Sequence, residues 1–190
     1  MIIGALDLET TGLDEKKDRI IEIALILYDA DTRKEVGAFE TLVNPGFPIP
    51  SIITDLTGIT TADVGGSPQF GDVARNYAAA LDSVDLLVAH NAQFDIKFTL
   101  EELQRAGINL PEKPVLDTAD SRWATEDGKI PNLQDLCFAT GVSYDAMVAH
   151  RARYDTQRMM EAVFGAMDLG FFREVKQMME ASGAELATTT

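Results

Sequence analysis

Residues 1–13 read Met1-Ile2-Ile3-Gly4-Ala5-Leu6-Asp7-Leu8-Glu9-Thr10-Thr11-Gly12-Leu13, and this stretch decides the fold. Met1–Leu8 is an apolar run that ends in acids and then Thr10-Thr11-Gly12, the pattern of a buried strand stopped by a turn. Side chains alternate along a strand, so Asp7 and Glu9 share one face while Leu6 and Leu8 take the other. A strand otherwise so apolar belongs at the centre of a sheet. Two carboxylates side by side at its end repel each other and lose solvation. A divalent cation removes both costs. Asp-x-Glu is a common pair, however, and by itself it reads better as two acids in water at the end of a strand.

Outward from this strand, Ile20–Tyr28 and Val36–Val43 read as two more strands, separated by the polar turn Asp31-Thr32-Arg33. Pro45, Pro48 and Pro50 break the pattern, and Ile52–Leu56 fits one short helix. Ser67-Pro68 reads as a helix start, with Phe70, Val73, Ala74, Tyr77 and Leu81 at helical spacing after it. A fourth strand over Val84–Ala89 precedes a helix over Phe94–Ala106, closed by Gly107. Val115–Leu116 is a short fifth strand. Asn132 caps a helix ended by Gly141, and Asp155–Met167 and Phe171–Ala181 are the last two helices. Strands in a hairpin run, followed by strands alternating with helices, predict an α/β fold with a mixed sheet and helices packed on it.

With 190 residues the chain is long enough for one well-buried core. No apolar run is long enough to span a bilayer, and the N-terminus does not read as a signal peptide. A single cysteine, Cys137, excludes an internal disulfide, and a reducing, cytoplasmic setting is expected. The formal net charge of −15 argues on its face against a nucleic-acid partner. Bound divalent cations would reverse the local sign of acids that hold them.

Three further residues carry potential chemistry. Asp95 follows the fourth strand, where a solvated acid at a helix start is at least as good a reading. His150 and Asp155 lie in His150-Arg151-Ala152-Arg153-Tyr154-Asp155. A histidine takes a proton near neutral pH, as a general base for water must, yet alone His150 is better read as a loop residue without a role. Together, these acids each stand at a strand end or helix start, so they can converge on one edge of the sheet. Three or four oxygen ligands suit Mg²⁺ or Mn²⁺ rather than zinc.

Three segments carry a resemblance: Leu6-Asp7-Leu8-Glu9-Thr10-Thr11-Gly12-Leu13, His90-Asn91-Ala92-Gln93-Phe94-Asp95, and the His-x-Ala-x-x-Asp run from His150 to Asp155. In this order the chain resembles the DEDDh family of 3′→5′ exonucleases, of ribonuclease H-like fold, and most of all the proofreading type of bacterial replicative DNA polymerase. The resemblance implies a mixed five-stranded sheet flanked by helices, with an exonuclease domain over residues 1–183 and a polar, frayed tail over 184–190. It implies hydrolysis of nucleotides from a 3′ end with two Mg²⁺ or Mn²⁺ ions. Asp7 would bridge both ions, Glu9 and Asp155 would complete one site, Asp95 would hold the second ion, and His150 would take the proton of the attacking water. Thr10, Leu13, Ile59, Asn91 and Phe94 are the implied substrate contacts, with Leu13 as a wedge between bases. Ordinary packing explains Leu13, Ile59 and Phe94 nearly as well.

The expected partners are single-stranded 3′ ends, DNA ahead of RNA, with a polymerase or a second copy of the chain as further partners and no membrane. The short tail slightly favours a free-standing enzyme. An RNA-trimming enzyme and a non-catalytic nuclease-like binding module are the alternatives. Arg151, Arg153 and Arg158 stand where they could hold a phosphate backbone, although a solvated basic patch fits them equally well. Trp123 could stack on a base but reads more simply as a core or rim aromatic. Met159, Met160, Met178 and Met179 read as core or dimer surface, and Cys137 as a small core residue.

Overall fold

The computed structural model describes residues 1–179. Five strands, β1 (Ile2–Thr10), β2 (Ile20–Asp29), β3 (Lys34–Leu42), β4 (Leu86–Ala89) and β5 (Val115–Asp117), form one sheet in the order β3-β2-β1-β4-β5. The first three strands pair antiparallel, whereas β4 runs parallel to both β1 and β5. The sheet is therefore mixed, with β1 at its centre. Six helices accompany it: α1 (Ser51–Thr57), α2 (Thr61–Val64), α3 (Phe70–Asp82), α4 (Ala92–Arg105), α5 (Leu133–Ala139) and α6 (Ala152–Asp168). Residues 173–179 are helical as well. The end of the helix expected over Phe171–Ala181, the domain end at 183 and the tail over 184–190 lie outside the described residues.

The alternation along β1 sorts its side chains between two cores. Leu6 and Leu8 join Ile23, Leu25, Tyr77, Phe98 and Leu103 on the face covered by α3 and α4. Ile3 and Ala5 join Ile26, Tyr28, Met159, Met160 and Val163 on the face covered by α6. Burying one such large apolar side chain contributes about 1.5–3 kcal/mol, so the sheet is clamped from both sides. Asp7 and Glu9 continue the Ile3/Ala5 face, which directs them toward the N-terminal end of α6. Gly4 is required by close approach: a Cβ there would lie 2.7 Å from Val84 Cγ2.

Several boundaries differ from expectation for reasons rooted in tertiary contacts. Helix α3 begins at Phe70 rather than at Pro68. The Pro68 carbonyl accepts the Asn44 N–H (2.9 Å), and the Asp72 carboxylate takes the Gln69 N–H (3.0 Å). A second short helix, α2, follows Thr60, whose hydroxyl accepts the Asp63 N–H. Helix α6 starts three residues before Asp155, because the Ala152 N–H is taken by the Glu22 carboxylate of β2 (3.1 Å). Asn132 caps α5 as expected, accepting the Asp135 N–H (2.8 Å). Met159 and Met160 are core residues, not dimer surface. Trp123 stacks on Phe171, with ring centroids 3.8 Å apart, and is partly buried. No helix among the described residues is long and apolar enough to cross a membrane.

Candidate functional site

The parallel pairing of β1 and β4 places the start of α4 beside the last residues of β1. The final paired residues are Ala5 and Val88. Beyond them β1 has no strand on that side, and the Leu8 N–H is instead taken by the Asp95 carboxylate (3.1 Å) from the first turn of α4. Asp95 is only 3% exposed. The start of α4 is itself anchored by Asp117 of β5, whose carboxylate accepts the N–H groups of Asn91 (2.9 Å) and Ala92 (3.0 Å). Asn91 takes a left-handed conformation there (φ 66°).

From the other face of the sheet, α6 delivers Asp155. Its carboxylate accepts the Tyr144 hydroxyl (2.7 Å) and the Arg151 N–H (3.1 Å). Carboxylate oxygens of Asp7, Glu9 and Asp155 lie within 4.8 Å of one another. Glu22, directly opposite Glu9 across the β1–β2 ladder, adds a further acid on the same face. Asp95 borders this group from the β4 side.

The electrostatics follow from the crowding. Burial raises the Asp7 carboxyl well above the usual carboxylate range, and the charges of Asp95, Glu9, Asp155 and Glu22 add to it. Burial, then Glu22, Asp155 and Asp95, push Glu9 up to about 8, with Arg151 opposing. Asp95 is raised too, chiefly by burial; the Leu8 N–H works against the shift. Among the described residues no Lys or Arg forms an ion pair with Asp7, Glu9, Asp95 or Asp155. Among the described residues no group donates a hydrogen bond to the Asp7 or Glu9 carboxylates. Half-buried carboxylates without a donor or counter-ion are costly. An oxygen-only donor set of this kind fits a hard divalent cation such as Mg²⁺ or Mn²⁺.

A family model described as exonuclease matches residues 5–163, a span that holds all four acids and His150. The chain belongs to this exonuclease family. The DNA polymerase III PolC-type protein of Caldanaerobacter subterraneus subsp. tengcongensis is 37% identical over 156 residues, covering 82% of this chain and 11% of that protein. The chain thus spans about a tenth of the length of the PolC-type relatives it matches. Escherichia coli exonuclease I, in a zinc-bound complex with single-stranded DNA, superposes with a TM-score of 0.73 at 18% identity, over 84% of this chain and 39% of its own. The nuclease domain of 3′hExo, a DEDDh family member bound to rAMP, gives a TM-score of 0.70 at 19% identity, over 89% of this chain and 92% of its own. These likenesses show the ribonuclease H-like fold.

Within this exonuclease domain, the remaining expected residues separate into three groups. Leu13 stands on the turn after β1 with 86% of its surface exposed. With Glu15, Asn91, Gln93, Phe94 and Lys97 it lines a cleft of about 190 Å³. Thr10 lies behind that turn, buried, its hydroxyl donated to the Gly12 carbonyl (2.6 Å). A side chain at Gly12 would collide with the Asp18 carboxylate, which accepts from the Thr11 hydroxyl and the Asp14 N–H. Ile59 is 3% exposed and packs with Ile21, Ile49 and Val64. His150 precedes α6 by two residues at φ 62°, exposed and without a hydrogen bond to any described residue.

The three arginines near α6 all carry partners. Arg151 pairs with Glu22, Arg153 with Glu35 and Glu40, and Arg158 with Glu161. His90, the other histidine, is tied by Nδ1 to the Thr118 hydroxyl (2.9 Å) and by Nε2 to the Pro131 carbonyl (3.1 Å), and burial lowers its pKa.

Glu22 is the site residue that sequence reasoning missed. Its signal was present: it is the lone charge in the apolar run Ile20–Leu27. Its role as a cap for α6 leads to a test. Glu22→Ala and Glu22→Gln remove the same charge, but only glutamine keeps an acceptor for the Ala152 N–H. The alanine variant is expected to be less stable than the glutamine variant by about 1 kcal/mol, lowering Tm by about 2–4 °C. Equal melting temperatures would show that Glu22 does not hold the start of α6.

Proposed function

We propose that this chain is a divalent-metal-dependent 3′→5′ exonuclease acting on single-stranded ends, DNA ahead of RNA. The observation that carries this reading is the convergence of the Asp7, Glu9 and Asp155 carboxylates within 4.8 Å, without counter-ion or donor for the first two. A folded protein keeps such an arrangement at a cost in stability, which a purely structural module has no reason to bear. Asp7, Glu9 and Asp155 would hold one cation, and Asp7 with Asp95 a second. The cations would supply charge stabilisation at the phosphate and orient both the entering and the leaving oxygen.

The residues of the chain divide the remaining work. Leu13, Phe94 and Asn91, which line one cleft, would seat the terminal nucleotide. Water attacks the scissile phosphorus, the bond from phosphorus to the 3′ oxygen breaks, and a nucleoside 5′-monophosphate leaves a strand shortened by one residue. His150 takes the proton of the attacking water. Its exposed ring, without a hydrogen bond to any described residue, is free to do so.

DNA is favoured because the PolC-type relative carries a DNA polymerase name and exonuclease I is bound to single-stranded DNA. The same relative makes a polymerase the partner to test first. RNA trimming is the second reading, supported by the rAMP bound to the 3′hExo domain. The test is a digest of matched DNA and RNA strands labelled at the 5′ end, with Mg²⁺ and with EDTA. A ladder descending from full length only with metal, and faster on DNA, is expected. Release of labelled mononucleotide at the outset, or no cleavage of either strand, would overturn the proposal.

A further inference from the structure

In a chain of net charge −15, the cations left free of the protein's own acids decide where a phosphate backbone can run. Near the site the arginines at 151, 153 and 158 are all paired. Arg19 and Arg105 are engaged with Glu102, and Arg105 also donates to the carbonyls of Glu15 (2.9 Å) and Lys16 (2.7 Å), holding the loop behind Leu13. Lys97 differs from all of these. It is exposed and lines the cleft between Leu13 and Phe94, with no ion pair or hydrogen bond to any described residue.

Its position on α4 is specific. Phe94 and Lys97 are three residues apart, so they share a helix face, and Asp95 is turned about 100° from Phe94. One helix therefore presents a carboxylate to the acid cluster, an aromatic ring to the cleft and an ammonium group to the same cleft wall. Glu15, which lines the same cleft, forms no ion pair with it.

We propose that Lys97 binds a backbone phosphate of the single strand that occupies this cleft, in place of the arginine cluster near α6. The proposal rests on the nuclease reading above for the identity of the strand. Its readout is equilibrium binding, so it is separable from cleavage. Binding of a 5′-fluorescein-labelled oligothymidylate to the full chain is measured by anisotropy over a range of salt, with Ca²⁺ in place of Mg²⁺. Each phosphate contact on a single strand contributes about 0.7 to the slope of log K against log salt. Lys97→Ala is expected to make the slope shallower by about that amount, while Lys97→Arg and Arg153→Ala leave it unchanged. An unaltered slope in Lys97→Ala, a shallower one in Arg153→Ala, or no binding by the wild type would overturn the assignment. A wild type that binds with the expected Lys97 dependence but cuts nothing in Mg²⁺ or Mn²⁺ would leave Lys97 assigned and remove the nuclease reading instead.

Discussion

Asp7→Ala is expected to remove nearly all hydrolysis, on the order of 10³-fold or more, equivalent to several kcal/mol of lost charge stabilisation at the phosphate. Asp7 sits at the centre of the acids: its carboxyl feels Asp95, Glu9, Asp155 and Glu22 together. In the proposed reading it would share one cation with Glu9 and Asp155 and a second with Asp95. On that reading its loss would disable both positions, whereas losing Asp95 would disable one. The loss of activity is not expected to come from misfolding. Removing one buried like charge should raise the melting temperature of the metal-free protein, so initial rates and a melt in EDTA must be measured on the same preparation. More than a tenth of wild-type turnover remaining would contradict the assignment.

The second large effect is expected from His150→Ala. Loss of a general base lowers kcat by roughly 10²–10⁴-fold, while metal and oligonucleotide binding change little because the exposed ring holds nothing in place. The decisive readout is the pH–rate profile at saturating metal. The acidic limb of the wild type reports protonation of the base and should flatten in the variant. Saturating metal matters because Glu9, pushed up to about 8 without a cation, would otherwise titrate in the same range. An acidic limb identical in both proteins would make His150 a structural residue.

The residues show how much of this was legible in the sequence. The alternation Leu6-Asp7-Leu8-Glu9 placed two acids on one face, and the structure keeps them on the α6 face with both leucines in the opposite core. Periodicity is a local property, so it carried through. What was not legible depended on partners distant in sequence. The start of α6 is set by Glu22, some 130 positions earlier. The start of α4 is held by Asp117, from a strand too short for its pattern to stand out. The ion pairs of Arg151, Arg153 and Arg158 were hidden because their acids, Glu22, Glu35, Glu40 and Glu161, are mostly distant in the chain. Ile59 resembled a base contact by motif, yet its neighbours Ile21, Ile49 and Val64 come from three separate segments. No reading of residues 57–60 alone reveals that they close over it.

If the acids form a cation site, stability must depend on pH and metal together. Glu9 holds its proton up to about pH 8 when folded, against 4.5 as its ordinary value. Between these limits the folded state binds more protons than the unfolded chain, so metal-free stability falls as pH rises through the window and is lowest above about pH 8. Asp7 and Asp95, also raised, act in the same direction. A cation at about 100 times Kd restores roughly 2.7 kcal/mol, on the order of 5–10 °C in a domain of this size. The measurement is thermal unfolding at about pH 5 and about pH 8, each in EDTA and in saturating Mn²⁺, for the wild type and Asp7→Asn. The expected result is a wild type that melts lower at the higher pH in EDTA and recovers with Mn²⁺, and an Asp7→Asn variant that melts above it in EDTA and gains little from the metal. A wild type with the same melting temperature with and without Mn²⁺ at both pH values would contradict the cation site itself.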